Sequence, residues 1–298
     1  MKLIAGSSNQ PFAASLASQL KIALVDVELS NFANGEKRVW IKEPLHGENV
    51  VLVQSFSNPA DEHIIETLLL IDALERMGVR HINLVIPWLG YSFQDKVFRE
   101  GEPIAAKVIA DLLSNAHIKR IFLLDLHNTS IPGFFSVPTH HFSALPLFAH
   151  FIEERFDLSK AVIVSPDFGG LKRSRVFAEH LRLPLANVDK HRDLSTGAVT
   201  TVSLQGDVRD KICFLMDDAI LTGGTAVEVA KLLKERGATQ VHFLSTHGIF
   251  AGNAVANIGQ SQLDSVVITN SVHRSEMPAK VEVLDASPPF AEALQTWM

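Results

Sequence analysis

The residues most able to do chemistry lie at positions 217–225, in the order Asp-Asp-Ala-Ile-Leu-Thr-Gly-Gly-Thr, directly after an apolar run. Paired glycines let the backbone approach a ligand closely, and the N–H groups that begin a helix favour an anion. Asp217 and Asp218 add acceptors that suit the cis hydroxyls of a ribose ring. The loop therefore predicts a ribose 5-phosphate site, whose phosphate would lie among Thr222, Gly223, Gly224 and Thr225.

Other phosphate-binding loops do not fit this stretch. A Walker A loop needs Gly-Lys-Ser or Gly-Lys-Thr, and neither triplet occurs in the chain. The dinucleotide fingerprint G-x-G-x-x-G is also absent. A turn whose glycines and threonines only cap a helix remains the structural alternative, and it gives no reason for the two preceding aspartates.

The elements that must position this loop alternate along the whole chain between short apolar runs and amphipathic stretches. We predict buried strands at residues 49–54, 81–87, 121–126, 161–165, 212–216, 241–245 and 266–269. Helical spacing predicts helices at residues 62–77, 104–114 and 226–236, the last of them capped by Gly237. Continuous apolar strands indicate mainly parallel sheets covered on both faces, so the predicted fold class is α/β.

Length and charge limit the organisation and the partners. A chain of 298 residues predicts two domains, which we place at residues 1–143 and 144–298. The formal net charge of −6, without any Lys/Arg tract, argues against nucleic acid as the main partner. A bound polyanion such as a nucleotide would need local loops and metal ions, because the overall field of the protein opposes it.

Cysteine content and hydropathy indicate the compartment. Cys213 is the only cysteine, so no intrachain disulfide can form and a reducing, cytoplasmic location is expected. No apolar run approaches the length of a membrane span, and we expect no membrane partner.

Several further motifs, in a fixed order, resemble the ribose-phosphate pyrophosphokinase (phosphoribosyl-diphosphate synthetase) family, and residues 217–225 resemble the ribose-phosphate signature of the type I phosphoribosyltransferase fold. The resemblance covers nearly the whole chain. It implies two phosphoribosyltransferase-like domains, each a mainly parallel sheet flanked by helices. Residues 98–104 and the compact length look closest to the shorter, archaeal-type branch. The other motifs lie at residues 32–36, 86–91, 94–96, 125–127, 164–170, 189–192 and 246–254.

The resemblance implies an enzyme that transfers the diphosphoryl group of ATP to the anomeric hydroxyl of ribose 5-phosphate, giving phosphoribosyl diphosphate and AMP. Positioning and electrostatic stabilisation supply most of the catalysis in such a transfer. The cofactor implied is Mg²⁺, with His127 and Asp167 as metal-site residues. Lys190 and Arg192 would be the catalytic cations, which we expect on a flexible loop after residues 185–188.

The resemblance also implies where ATP binds. Phe32, Asn34 and Glu36 look like an adenine-binding hairpin that each subunit lends to its neighbour, so we expect a homo-oligomer with a shared ATP site. A hairpin turn at Asn34-Gly35 is the plainer interpretation and is compatible with this role. The remaining ATP-binding residues implied are Gln94, Asp95, Lys96 and Arg99.

Two positions depart from the family's pattern. Leu221 stands where the family frequently has aspartate, so that side chain cannot act as a base here. Phe93 stands where arginine is common, and phenylalanine cannot pair with phosphate. Two alternatives therefore stay open: a phosphoribosyltransferase that consumes phosphoribosyl diphosphate, and a catalytically weak, regulatory homologue.

Overall fold

The structure is a computed structural model that describes the backbone of residues 1–192 and 199–297, and the side chains of residues 1–189 and 203–297. The chain forms two compact units. Unit 1 contains residues 1–143, 270–273 and 285–298, and unit 2 contains residues 144–269 and 274–284. The chain first passes from unit 1 to unit 2 between Ser143 and Ala144, and residues 270–273 and 285–298 return to unit 1. The domain bounds 1–143 and 144–298 stay a prediction.

Unit 1 is built on a parallel five-stranded sheet with the order β1-β4-β5-β6-β7, and β2 and β3 form a separate antiparallel hairpin. The central strands are buried almost throughout, because helices and the hairpin cover them and leave no solvent face. In chain order the elements are β1 (Lys2–Ala5), α1 (Gln10–Leu20), β2 (Val27–Asn31), β3 (Lys37–Ile41), β4 (Asn49–Val53), α2 (Ala60–Arg76), β5 (His81–Ile86), α3 (Ala105–Ser114), β6 (Arg120–Leu124) and β7 (Thr139–Phe142).

Unit 2 is built on a seven-stranded sheet with the order β10-β9-β8-β11-β12-β13-β14. Its strands are parallel except for the antiparallel pair β9–β10. The elements are α4 (Leu145–Arg155), β8 (Ala161–Ser165), α5 (Leu171–Leu181), β9 (Leu185–Arg192), β10 (Val199–Gln205), β11 (Ile212–Ile220), α6 (Gly224–Glu235), β12 (Gln240–Gly248), α7 (Ala254–Gly259), β13 (Ser265–Thr269) and β14 (Val281–Leu284).

All seven predicted strands and all three predicted helices are present, with ends that differ by a few residues. The α/β fold class and the mainly parallel sheets are confirmed. Gly237 also ends α6 as predicted, because it adopts a left-handed φ of 91° and its N–H donates to Lys234 O at 3.1 Å. No helix in the described part of the chain combines the length and the apolar character needed to cross a membrane.

The final helix, α8 (Ser287–Trp297), belongs to unit 1, where Phe290 packs edge-on against Phe12 of α1 at a centroid distance of 5.5 Å. Asp285 anchors its start. The carboxylate accepts hydrogen bonds from Ser15 Oγ at 2.6 Å, from Asn270 Nδ2 at 2.7 Å and from the backbone N–H of Ser287 at 2.9 Å. Burial by itself would raise the pKa of Asp285, but these hydrogen bonds bring it below the usual value. One carboxylate thus connects α1, the segment 270–273 and α8.

Candidate active site

The predicted phosphate site lies at the junction of β11 and α6. Gly223 immediately precedes the helix with a left-handed φ of 73°, a conformation that glycine adopts without steric cost. Among the described residues no side chain caps the N-terminus of α6. The surroundings of Gly224 are open, since a Cβ built there would come no closer than 3.8 Å to its nearest neighbour, Thr222 Oγ1. This helix start can therefore accept an anion on its backbone N–H groups.

The two aspartates lie inside β11, not in the loop after it, so the predicted end of this strand at residue 216 is wrong. The strand continues to Ile220 because it keeps pairing with β12, where Asp217 is opposite Ser245 and Ala219 is opposite His247. The apolar run in the sequence stops at Asp217, but the backbone hydrogen bonding does not. The aspartates are consequently held on a strand, which fixes their backbone more firmly than a loop would.

Charge is concentrated at these aspartates. Burial raises the pKa of Asp217 well above its usual value, and the charges of Asp218 and Asp167 raise it further. Arg173, in the first turn of α5, partly offsets this charge. Its Nη1 lies 3.2 Å from Asp218 Oδ1 and 3.9 Å from Asp217 Oδ1. The site thus contains three acidic groups, of which Asp218 and Asp167 act on Asp217, and an arginine that pairs with Asp217 and Asp218.

The segment after β12 holds the loop between β11 and α6 by two hydrogen bonds. The N–H of Ala251 donates to Leu221 O at 2.8 Å, and Asn257 Nδ2 donates to Thr222 O at 3.2 Å. Leu221 itself is 42% exposed. The side chain that departs from the family pattern therefore lies at the surface of the loop and is not needed to fill the core.

Asp167, a predicted metal-site residue, has a structural task in unit 2. Its Oδ1 accepts the N–H of Gly170 at 2.9 Å, and its carbonyl accepts Ser165 Oγ at 2.7 Å. These bonds fix the turn that leads into α5. The carboxylate is only partly buried, and its charge acts on Asp217.

In unit 1 the structure brings the predicted ATP loop next to the predicted metal histidine. The ring of Phe93 meets the exposed ring of His127 at a centroid distance of 4.8 Å and an angle of 69°. Asp95 Oδ2 accepts a hydrogen bond from Asn128 Nδ2. Residues 93–95 and 127–128 thus form one surface.

The other ATP-loop residues extend from this surface. Gln94 O accepts the N–H of Ala106 at 3.1 Å, which joins the loop to α3. Lys96 Nζ lies 5.0 Å from the centre of the Phe98 ring, and the N–H of Arg99 donates to Glu102 at 3.0 Å. Both cationic side chains are exposed.

The β2–β3 hairpin carries the predicted adenine-binding residues at its tip. Gly35 N–H donates to Phe32 O at 2.8 Å, and Glu36 N–H donates to Asn34 Oδ1 at 3.2 Å. Phe32 is 53% exposed, and Asn34 and Glu36 are exposed as well. The hairpin interpretation is confirmed, and the three side chains are presented to solvent together.

The predicted catalytic cations are on a strand, not on a loop. β9 runs through Arg192 because it pairs with β10, where Val202 is opposite Lys190 and Val199 is opposite Arg192. The side chains of Lys190 and Arg192 lie outside the residues that the structure describes, so their catalytic role stays a prediction.

A preformed metal cage is not part of the described structure: within residues 1–189 and 203–297, no group of three or more His, Cys, Asp or Glu side chains could hold a metal ion. The two predicted metal residues belong to different units, His127 to unit 1 and Asp167 to unit 2.

Sequence reasoning missed Arg173 and Asn257. Both support residues 217–225 from elements that are distant in the sequence. Neither residue occurs in a local pattern that signals such a role, so only the fold reveals it.

Each unit is a mainly parallel sheet flanked by helices, and unit 2 adds paired aspartates on its central strand and a glycine-led helix start. Together these features define a protein with two phosphoribosyltransferase-like α/β domains. Comparison with known proteins agrees. The family model described as the N-terminal domain of ribose phosphate pyrophosphokinase matches residues 1–116, and the model described as the phosphoribosyl synthetase-associated domain matches residues 196–297. The crystal structure of phosphoribosylpyrophosphate synthetase from Mycobacterium smegmatis is similar, with a TM-score of 0.92 and 33% identity, over 99% of this chain and 98% of that one.

Curated relatives show the same relation across almost the full length. The ribose-phosphate pyrophosphokinase of Bradyrhizobium diazoefficiens is 38% identical over 97% of this chain and 90% of its own length. That of Vibrio parahaemolyticus is 40% identical over 99% of this chain and 95% of its own. The chain belongs to the ribose-phosphate pyrophosphokinase family, and it is accordingly an enzyme that transfers diphosphate groups.

Proposed function

We propose that this protein catalyses the Mg²⁺-dependent transfer of the diphosphoryl group of ATP to the anomeric hydroxyl of ribose 5-phosphate, which gives phosphoribosyl diphosphate and AMP. The observation that carries the proposal is that one β11–α6 segment combines a helix start open to an anion with two adjacent aspartates, of which Asp218 is buried and Asp217 half-buried. This combination suits a ligand with a phosphate at one end and neighbouring hydroxyls at the other. Family membership supplies ATP as the second substrate.

We assign binding of the sugar phosphate to the β11–α6 segment. The phosphate would accept hydrogen bonds from the backbone around Gly223 and Gly224 and from the hydroxyls of Thr222 and Thr225. Asp217 and Asp218 would accept the ribose hydroxyls. The acidic groups lie on the strand and the phosphate site lies at the helix. The hydroxyl end of the ligand would therefore meet carboxylate acceptors, and the phosphate end would meet N–H and O–H donors.

ATP would bind at the surface that Gln94, Asp95, Lys96 and Arg99 share with His127. The exposed cations Lys96 and Arg99 suit the triphosphate. The adenine would be held by Phe32, Asn34 and Glu36 of a neighbouring subunit. Exposure of the whole hairpin tip supports this arrangement, which requires a homo-oligomer.

Lys190 and Arg192 would stabilise the charge on the diphosphoryl group during transfer. An arginine grips phosphate oxygens in a fork, whereas a lysine acts as a compact charge. This reaction needs positioned charges more than a strong base, because the transition state of phosphoryl transfer is loose. Leucine at position 221 is therefore compatible with turnover.

Magnesium fits the donor chemistry of the site. Mg²⁺ prefers oxygen ligands, keeps several waters and is usually held by one or two carboxylates together with substrate phosphates. Asp167 supplies such a carboxylate, and a divalent cation bound to it would relieve the repulsion that its charge exerts on Asp217. A site completed by ATP would not require a full set of protein ligands. Bound Mg²⁺ would neutralise the transferred group. His127, in unit 1, stays a predicted metal-site residue.

A catalytically weak homologue is the second candidate, since two observations favour it. Leu221 presents an exposed apolar side chain within the sugar loop, and the Phe93 ring packs against the His127 ring at a centroid distance of 4.8 Å. Retention of His127, Lys190 and Arg192 argues against it. A phosphoribosyltransferase is less well supported, because it would need neither the hairpin tip nor the ATP loop.

The deciding experiment measures products. Purified protein is incubated with ATP, Mg²⁺ and ribose 5-phosphate, and AMP and phosphoribosyl diphosphate are quantified against a metal-free blank. Formation of both products in equal amounts is expected. AMP at the level of the blank would refute the proposal, and consumption of added phosphoribosyl diphosphate with a nucleobase would favour a phosphoribosyltransferase instead.

The hairpin offers a matched pair of variants for the ATP assignment. Phe32 at the tip and Trp40 on β3 are each 53% exposed. We expect Phe32→Ala to raise the KM for ATP about tenfold or more, in keeping with the loss of an aromatic stacking partner, and Trp40→Ala to change it little. Equal effects of the two substitutions would remove the support for an adenine contact at Phe32.

Two finer assignments accompany the proposal. Cys213 is buried and is the only cysteine, which supports a reducing, cytoplasmic location. Membership of the shorter, archaeal-type branch is supported by residues 98–104.

A further inference from the structure

Arg173 makes an ion pair inside the sugar site. Its Nη1 lies 3.2 Å from Asp218 Oδ1 and 3.9 Å from Asp217 Oδ1, and the side chains of Arg173 and Asp218 are only 24% and 7% exposed. The N–H of Asp218 donates to Asp217 Oδ1 at 2.9 Å, which ties the two carboxylates together. A largely buried ion pair has few alternative partners, so this guanidinium restricts where both carboxylates can lie.

The position of Arg173 is itself fixed. It lies in the first turn of α5, just after the turn that Asp167 closes by accepting the N–H of Gly170. The helix packs against β8, β9 and β11 of the sheet. The guanidinium therefore reaches the aspartates from a rigid element, whereas an exposed arginine would sample many rotamers.

Successive side chains of a regular strand point to opposite faces of the sheet. Asp217 and Asp218 are successive residues of β11, yet one guanidinium lies within 4 Å of an oxygen of each. Without Arg173, like-charge repulsion would favour conformations in which the two carboxylates are farther apart. Two neighbouring hydroxyls on one sugar ring require acceptors that stay close.

We propose that Arg173 is a positioning residue that holds Asp217 and Asp218 in the geometry that recognises the ribose hydroxyls, and that it thereby sets the preference for ribose over 2-deoxyribose 5-phosphate. The proposal rests on the assignment of these aspartates to the sugar under the proposed function. It gives Arg173 no contact with the phosphate, which is assigned to the start of α6.

The test is direct binding, measured by calorimetry on the full chain with ribose 5-phosphate, 2-deoxyribose 5-phosphate and inorganic phosphate. Arg173→Met is compared with Arg175→Met, a substitution of the same type two positions along α5. We expect Arg173→Met to weaken ribose 5-phosphate at least tenfold, to bring its affinity close to that of the deoxy sugar, and to leave phosphate within about twofold. Arg175→Met should behave as the natural protein, and Arg173→Lys should recover part of the preference.

Two results would overturn the proposal. One is an unchanged preference between the two sugars in Arg173→Met, and the other is an equal loss for all three ligands. If Arg173→Met does not fold, as judged by circular dichroism, the Lys variant decides, since a preference like that of the natural protein would then refute the role. The binding experiment needs no turnover. A natural protein that binds ribose 5-phosphate but forms no AMP would therefore disprove the proposed reaction, and the role proposed for Arg173 would still be testable. A natural protein that does not bind ribose 5-phosphate would refute both.

Discussion

Replacement of each of the two adjacent aspartates by asparagine should change stability in opposite directions. Burial and the charges of Asp218 and Asp167 oppose ionisation of Asp217, so Asp217→Asn removes an unfavourable charge at neutral pH. Asp218 is buried and is paired with Arg173, so Asp218→Asn removes a favourable charge. Both variants should lose binding of ribose 5-phosphate under the proposed function.

The expected magnitudes follow from the surroundings. Two like charges about 5 Å apart repel by roughly 3 kcal/mol at an effective dielectric constant of about 20. The Asp217 side chain is 27% exposed and Arg173 offsets part of its charge, so we expect a gain of about 1 kcal/mol, or about 2 °C in Tm for a chain of this length. Breaking a fully buried ion pair costs about 3–5 kcal/mol. Because Arg173 is 24% exposed and keeps Asp217 nearby, we expect Asp218→Asn to cost less, about 2 kcal/mol.

The dependence on pH checks the cause. The pKa of Asp217 is higher in the folded than in the unfolded protein. Asp217 therefore contributes fully to the free energy of unfolding only below the ordinary aspartate pKa, and this contribution is lost as the pH rises through the pKa of the folded state. Asparagine does not titrate. The advantage of Asp217→Asn should therefore widen between pH 5 and pH 8 in melting experiments followed by circular dichroism.

The result that would refute this reasoning is a lower Tm for Asp217→Asn than for the natural protein at pH 8. A Tm difference that is constant with pH would also contradict it, because the gain would then come from packing and not from charge. Parallel melting of Asp218→Asn supplies the control, since it is the neighbouring residue with the same change of atoms.

Four other outcomes are expected. Lys190→Ala should lower turnover by at least a hundredfold and keep the binding of ribose 5-phosphate, as measured by steady-state kinetics and calorimetry. Lost sugar binding with unchanged turnover would show that the role assigned to Lys190 is wrong. Leu221→Asp should change turnover by less than about threefold, because loose phosphoryl transfer needs little base catalysis; a large gain would show that the natural protein is impaired. Burial raises the pKa of Cys213 to about 12, so a thiol reagent at pH 8 should label no cysteine in the native protein and one per chain after unfolding, and rapid native labelling would contradict the burial. Asp285→Ala should destabilise unit 1 by about 2–4 kcal/mol, since several buried donors lose their acceptor, and an unchanged Tm would show that α8 docks without it.

The sequence predicts what depends on local pattern. Apolar runs gave the buried strands, and the glycine pair with its two aspartates gave the β11–α6 segment. The ends of strands depend instead on which partner continues to pair. β11 extends past Asp217, and β9 extends through Arg192, because β12 and β10 supply hydrogen bonds that no local pattern reveals.

The contacts that support the sugar loop could not be predicted from the sequence for the same reason. Arg173 and Asn257 are ordinary polar residues of helices until the fold brings them to the sugar loop. The residues that touch a ligand carry a chemical signature in the sequence. Many different residues could hold those ligand-binding residues in place. Which residue does so is decided by the packing of elements that are distant in the sequence.

The return of residues 270–273 and 285–298 to unit 1 has a consequence for how the chain is made. Phe12 of α1 packs against Phe290, and Ser15 bonds to Asp285, so unit 1 lacks its α8 layer until residues 285–297 leave the ribosome. Most of unit 1 is synthesised before unit 2, but it is completed only after all of unit 2 has been translated. A nascent chain that stalls near residue 250 would carry an unfinished first unit with exposed apolar surface, which makes it a substrate for chaperones and proteases rather than a half-active enzyme.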